Sequence, residues 1–482
     1  MLAAATWLFV DTSGIAAAHL NWIAKIQFLP ALMAGSIITV IVLLVATLLL
    51  GRVYCSVICP LGLLQDLIAR VGRAAKKNRY TYSKAKNILR WGVLGVTVIA
   101  FVAGIGSVVA LVAPYSSFGR IAQTLLAPLY EWGNNIAAQI AESNGSYAVS
   151  ETEIWVRSIP TLVIAALTLV GIGIVAWMNG RTYCNTICPV GTVLGFLSKY
   201  SLMAPVIDKS KCISCRKCER NCKAACIDIA GTKEIDGSRC VTCMNCIDTC
   251  PKGAISYTMR NRTAKVEAEG GETPSGRRMF LTMLGLTAAS VASAKKDKLV
   301  DGGLTVIEDK EPMKRETPLV PPGAESLRNF RRHCTGCQLC VAKCPNGVLR
   351  PSTDLGSLMQ PVMSYENGYC RQECTRCSEV CPAGAIKPYE EGAKSSIQIG
   401  HAVWVKERCV VLTDEVSCGT CARHCPVGAI SMVKYDAGDG KEVRIPAVNE
   451  ERCIGCGACE NLCPSRPLSA IYVEGHENHK IL

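Results

Sequence analysis

Histidine is scarce in this 482-residue chain: only six occur, His19, His333, His401, His424, His476 and His479. None falls in a strongly apolar run, and only His19 lies in a weaker one, which argues against a haem b held by paired histidines between membrane helices. No C-x-x-C-H occurs, so a haem c has no attachment point. A glycine-rich phosphate loop between a strand and a helix is also missing, and any flavin or nicotinamide chemistry would belong to a partner. Charge is absent from three long stretches, Ala31–Leu50, Trp91–Ala113 and Ile159–Asn179.

What the chain has in quantity is cysteine, 29 residues of it. They fall in tight runs of two-residue spacing, too close for most pairs within a run to form unstrained disulfides. Metal ligation is the reading that fits. Structural zinc uses four ligands in two pairs, whereas these are triples followed by a lone cysteine, the arrangement that wraps an iron–sulfur cubane.

The formal charge of +13 counts every cysteine as neutral. An oxidised cubane with four thiolates carries about −2, so six would offset about 12 positive charges. A nucleic-acid partner is therefore not expected, and the basic residues have a better use beside a membrane.

Each charge-free stretch is about as long as a bilayer crossing, which needs roughly 20 residues. The expectation is an α-helical membrane domain with three clear transmembrane helices, and a fourth if the weaker Met1–Leu20, broken by Asp11 and Gly14, takes part. Loop charge orients them. Arg52, Arg70, Arg73, Lys76, Lys77, Arg79, Lys84, Lys86 and Arg90 follow the first stretch against Asp66 alone. The next loop carries Arg120 and Arg157 against Glu131, Glu142, Glu151 and Glu153, and Arg181, Lys199, Lys209 and Lys211 follow the third. By the positive-inside rule the first and third regions are cytoplasmic.

The expected domains are 1–200, the membrane domain; 201–260, a two-cluster ferredoxin; 261–325, a linker; and 326–482, a four-cluster ferredoxin. The ferredoxin modules are α+β and bacterial-ferredoxin-like. The linker holds Arg277-Arg278, a short apolar run and Ala292-Ser293-Ala294, the anatomy of a twin-arginine export signal set in mid-chain.

In two-cluster ferredoxins the fourth thiolate of each cube comes from the distal cysteine of the partner motif. Crossed ligation in the first module gives Cys212, Cys215, Cys218 and Cys250 for one [4Fe–4S] cluster and Cys240, Cys243, Cys246 and Cys222 for the other. Lys223 stands where proline is usual and Cys226 follows three residues on. Either Cys222 or Cys226 can be the ligand, and spacing favours Cys222. In the second module the nested assignment is Cys334, Cys337, Cys340 with Cys463; Cys453, Cys456, Cys459 with Cys344; Cys370, Cys374, Cys377 with Cys425; and Cys409, Cys418, Cys421 with Cys381. Six clusters result.

Four cysteines remain in a matched pair of half-motifs, Gly51-Arg52-Val53-Tyr54-Cys55-x3-Cys59-Pro60-x-Gly62 and Gly180-Arg181-Thr182-Tyr183-Cys184-x3-Cys188-Pro189-x-Gly191. Three readings stand: a metal or seventh iron–sulfur site on Cys55, Cys59, Cys184 and Cys188, a redox-active dithiol pair, or a structural turn.

On these motifs, residues 31–258 resemble the NapH family of membrane polyferredoxins, with NosR and oxidase-assembly ferredoxins as relatives. Residues 277–482 resemble the NapG/MauM family of exported ferredoxins. The resemblance implies a bacterial inner-membrane protein relaying electrons between the quinone pool and a separate reductase or other redox partner. The rival it implies is an assembly or regulatory protein of the NosR kind that reduces a metal or a target. It also implies four spans where three are clear. A working export signal would put the last module in the periplasm; a decayed one would leave it in the cytoplasm.

Overall fold

A computed structural model of the protein describes residues 1–11, 13–74, 80–147, 149–152, 158–259, 299–300, 305–306, 308–390, 392–436 and 442–482. The twin-arginine segment, Lys76, Lys77, Arg79, Glu153 and Arg157 lie outside the described residues.

Twelve helices make up the N-terminal part: α1 Leu2–Val10, α2 Ile15–Lys25, α3 Phe28–Met33, α4 Ile37–Leu50, α5 Pro60–Ala74, α6 Asn87–Val102, α7 Gly106–Val112, α8 Pro114–Ile121, α9 Ala127–Ser143, α10 Ile159–Asn179, α11 Thr182–Thr186 and α12 Pro189–Ser198. Only one of the three expected spans survives as one long helix. Among the described residues α10 alone is long and apolar enough to cross a membrane. The first expected span breaks between α3 and α4 at Gly35, φ +66°, and the second between α6 and α7 at Gly104, φ +76°. Glycine takes this left-handed backbone without the Cβ clash that other residues meet. The helices left over, 14 residues in α4 and 16 in α6, rise only about 21 and 24 Å. Met1–Leu20 is likewise two helices. Asp11 ends the first and caps the second, accepting from the backbone N–H groups of Ser13, Gly14 and Ala16 at 3.0 Å each.

The outward faces of α4, α6 and α10 are apolar. Ile38 (81 % exposed), Ile88 (94 %), Ile99, Ile159 and Leu167 stand free of protein contact that would cover them. Such a contiguous face on a water-surrounded protein would be unusual.

Two ferredoxin-like modules cap opposite ends of α4 and α6. In the first, Met203–Ile207 pairs antiparallel with Ile255–Met259, and helices Lys217–Asn221 and Asn245–Thr249 carry the middle cysteines. This module meets the C-terminal end of α4, where Leu202 N–H donates to Leu48 O and the Tyr257 hydroxyl to Leu50 O, both at 2.8 Å. It also meets the start of α6, where Arg90 donates to Ser238 O at 3.3 Å.

The second module pairs Leu349–Pro351 with Pro361–Met363, Ile430–Asp436 with Glu442–Val448, and Ile397–Trp404 with Ile471–Ile481. It packs at the other end. A Cβ on Gly384 would lie 3.3 Å from Ala34 Cα, and one on Gly106 would lie 2.7 Å from Arg331 O. The hydroxyl of Ser116 in α8 donates to Thr335 O at 2.6 Å. Helix α7 is therefore apolar because it faces this module, which is why residues after Gly104 read as part of a span.

Candidate iron–sulfur centres

The local backbone explains how each cysteine triple curls. Ser214, Arg216, Thr242, Met244 and Gln338 all adopt positive φ between or beside cysteines. Their neighbouring thiols turn inward toward one hollow. In the first module Cys212, Cys215, Cys218 and Cys250 line one hollow. Cys240, Cys243 and Cys246 converge with Cys222. The structure brings the thiols of each set together.

Cys226 lies beside the second set, its sulfur 3.5 Å from that of Cys222 and the residue fully enclosed. Hydrogen bonding with Cys226 holds the thiols of Cys222 and Cys240 below their ordinary value. The thiol of Cys226 is pushed far up by those same two partners and by burial. Cys226 therefore sits against the second set, in a sulfur contact in which either Cys222 or Cys226 can be the donor.

In the second module the nested pairing is corrected. Cys334, Cys337 and Cys340 line one hollow with Cys381, not Cys463. Cys370 and Cys377 face Cys344, not Cys425. Cys453, Cys456 and Cys459 share one hollow with Cys425, not Cys344. Cys421 sits with Cys409, Cys418 and Cys463, not Cys381. Motifs one and two therefore exchange fourth cysteines, as do three and four. The reason is chain length: adjacent motifs close into a unit with a short loop, the same topology as the first module. Motif spacing alone carries no record of this choice.

The hollows fit cubanes. Among the described residues no three His, Cys, Asp or Glu side chains converge closely enough for a single ion, and all 29 cysteines are unbridged. Thiols gathered around each hollow are the donor set that an iron–sulfur cluster uses. Such a cluster would supply one-electron redox chemistry.

The half-motifs meet in one place. Cys55, Cys59, Cys184 and Cys188 are all buried and face one another. Their arginines cross over. Arg52 donates to Cys184 O at 3.2 Å, to Asn185 Oδ1 at 2.8 Å and toward the Cys55 sulfur at 3.7 Å. Arg181 donates in turn to Cys55 O and binds Asp66 through Nε at 2.7 Å. Gly62 and Gly191 leave room for these guanidinium groups, since a Cβ at either would lie within 3.0 Å of the crossing arginine. Burial and the neighbouring sulfurs push the Cys59 thiol up to about 12.

Comparison with known proteins bears on the same segments. The 4Fe-4S dicluster domain matches residues 333–385 and 416–466, spans that agree with the adjacent pairing found here. A 4Fe-4S binding domain matches 233–256, and another matches 32–79 and 159–208, the half-motif segments. The ferredoxin-type protein MauM for methylamine utilization from Methylophilus methylotrophus is 31 % identical over 160 residues, 32 % of this chain and 70 % of that protein. The chain belongs to this ferredoxin-type family. MauM of Methylobacillus flagellatus is 30 % identical over 156 residues, 32 % of this chain, and the chain spans 66 % of its length. The ferredoxin-type protein NapG of Escherichia coli is 29 % identical over 196 residues, covering 39 % of this chain and 81 % of NapG. No solved structure matches. The protein is accordingly a ferredoxin-type iron–sulfur electron-transfer protein that binds [4Fe–4S] clusters.

Proposed function

We propose that this protein is a bacterial inner-membrane relay with six [4Fe–4S] clusters, a NapH-type polyferredoxin joined to a NapG/MauM-type ferredoxin. Its ligand sets are those the structure groups: Cys212/215/218/250, Cys222/240/243/246, Cys334/337/340/381, Cys344/370/374/377, Cys425/453/456/459 and Cys409/418/421/463. Cys55, Cys59, Cys184 and Cys188 form a further metal site.

The observation that carries the reading is the order along one axis. The two modules cap opposite ends of α4 and α6, whose exposed faces are apolar. Such a layer suits lipid, with the first module in the cytoplasm and the second outside, in agreement with the loop charges. The quinone pool is the natural one-electron and two-electron reservoir within reach of that layer, and a separate redox protein is the partner of the second module. The residues hold and space the centres; hydrogen bonds and burial tune them.

The test is anaerobic quantitation of iron and sulfide with rapid mixing against a quinol analogue. Six cubanes bring about 24 Fe before any further centre is counted, and they should be reduced by the quinol. Clusters that form fully but never respond to quinol would defeat the quinone part of the proposal.

A further inference from the structure

The two cysteine sets of the first ferredoxin module face different surroundings. Cys222, Cys240, Cys243 and Cys246 lie on the helix side. Lys223, next to Cys222, bonds Asp66 of α5 at 2.5 Å, and Arg52 donates to Ser238 O, two residues before Cys240, at 3.3 Å. Cys212, Cys215, Cys218 and Cys250 lie on the solvent side. Of the chain's 29 cysteines only Cys215 is exposed. The relay proposed above takes its electrons from the membrane layer and passes them to the second module. On that route the solvent-side set is a spur, because an electron that reaches it has no further centre within the chain. An open redox centre at the end of a spur is useful only when something in solution meets it.

The surface over that centre has the make-up of a docking face. Ile213, 59 % exposed, stands two residues from Cys215. Lys211, Arg216, Lys217 and Lys252 line the same hollow, all four exposed, and no Asp or Glu lines it. Lys217 and Lys252 make no ion pair among the described residues. Lys211 and Arg216 have acidic neighbours, Asp208 at 3.5 Å and Glu219 at 4.0 Å, but their side chains are 67 % and 52 % exposed. Ion pairs so open to water are weak, which leaves both cations available to an incoming carboxylate. An apolar centre rimmed by charge of one sign gives a transient interface both a dry middle and long-range steering.

We infer that this face docks a small acidic one-electron carrier protein, which exchanges electrons with the centre on Cys212, Cys215, Cys218 and Cys250. Carboxylates of the carrier meet Lys211, Arg216, Lys217 and Lys252, and an apolar patch beside its own redox group covers Ile213. The exposed Cys215 then lies at the contact. With a reduced carrier the step is a single electron: the carrier loses it, the solvent-side centre gains it, and no bond is made or broken. The chain thereby has a second port for electrons, separate from the layer between its two modules. This inference rests on the iron–sulfur reading above and extends it by giving the first module a partner of its own.

The experiment uses the full chain, purified anaerobically in detergent and mixed in a stopped flow with an acidic flavodoxin in its fully reduced form. Bleaching of the clusters is followed by absorbance. The second-order rate should fall about tenfold or more between about 0.01 M and 0.15 M salt, as the screening length shortens from about 30 to 8 Å. At the lower salt Lys217→Glu/Lys252→Glu should be slower by about tenfold or more, and Lys217→Arg/Lys252→Arg should hold the wild-type rate. The methyl viologen radical, a cation, should show the opposite sign and react faster with the glutamate variant than with wild type. If the glutamate variant loses iron, Lys217→Gln/Lys252→Gln decides, with a slowing of about threefold expected. A rate indifferent to salt, or one that the charge changes leave unmoved, overturns the docking face and leaves the six-cluster relay standing. Clusters that flavodoxin reduces and a quinol analogue never does defeat the quinone part of the function and keep this face. An iron-free protein overturns both.

Discussion

Lys343 of the second ferredoxin module is paired with Asp11 of the N-terminal segment at 3.4 Å, each side chain only 4 % exposed. The same carboxylate caps α2, and the ammonium also meets the Asp11 carbonyl. Removing one member of a buried pair strands the other and typically costs about 3–5 kcal/mol. Lys343→Met should lower the apparent unfolding temperature and expose the join to protease. Asp11→Asn/Lys343→Met, which removes the charge and keeps an oxygen for the α2 cap, should recover part of that loss. Equal protease resistance in wild type and Lys343→Met would contradict the join.

Asp66 supplies a pH dependence. Burial alone would push its carboxyl up, but Arg181 and Lys223 outweigh burial and hold it below the usual range. A depressed folded value contributes stability above the unfolded value, about 3.9, and that contribution is lost as pH falls through the folded value. Wild type should therefore outlast Asp66→Asn in thermal unfolding at pH 7, by about 3 kcal/mol or more. The gap should close on acidification below about pH 4. A gap that persists unchanged at pH 3 would speak against the ion pairs.

Fourth-ligand exchange between adjacent motifs is testable by counting iron in paired variants. Cys334→Ser/Cys381→Ser strikes one cluster and should remove about 4 Fe, whereas Cys334→Ser/Cys344→Ser strikes two and should remove about 8. Under the nested assignment it is Cys334→Ser/Cys463→Ser that would remove only one cluster's iron.

Cys226 is expected to act as a hydrogen-bond donor to the sulfurs beside it and not as a ligand. Cys226→Ala should leave the iron content unchanged and lower the midpoint of one centre, because lost hydrogen bonds to sulfur leave the thiolates more electron-rich. Its sulfur lies 3.5 Å from that of Cys222, so it can also stand in. Cys222→Ser should retain the cluster in part, and Cys222→Ser/Cys226→Ser should lose about 4 Fe. Loss of iron in Cys226→Ala alone would reverse the two roles.

The arrangement of the modules predicts sidedness. A phosphatase reporter joined after Leu482 should be active, since that enzyme works outside the cytoplasm, and one joined after Met259 should be silent. Activity at both points, or at neither, would place the modules on one side and remove the membrane-crossing layout.

Much of the chemistry was readable from residues alone, because a cubane demands thiols at fixed short intervals and nothing else uses that pattern so often. The triples, the distal Cys-Pro and the matched half-motifs were all visible there. Which distal cysteine joins which triple was not, since that depends on how the chain folds back over many residues. The helix lengths were misread for a related reason. Hydropathy records that Ala31–Leu50 and Trp91–Ala113 avoid water, and it cannot tell lipid from a protein neighbour. Gly35 and Gly104, small and inconspicuous, decide where each helix stops. Arg52 and Arg181 looked like members of a basic loop; only the fold reveals that each reaches into the opposite half-motif.

Those two glycines have a mechanical consequence. A helix of 14 residues is about 9 Å shorter than a typical hydrocarbon core of about 30 Å. Lipid beside α4 would have to pinch inward or the protein would have to lean, at fractions of a kcal/mol per Å. In the membrane layout proposed above, the same shortening would thin the insulation between the redox centres of the two modules. A chain with straight, full-length helices here would be easier to seat in a bilayer and worse at carrying current across it.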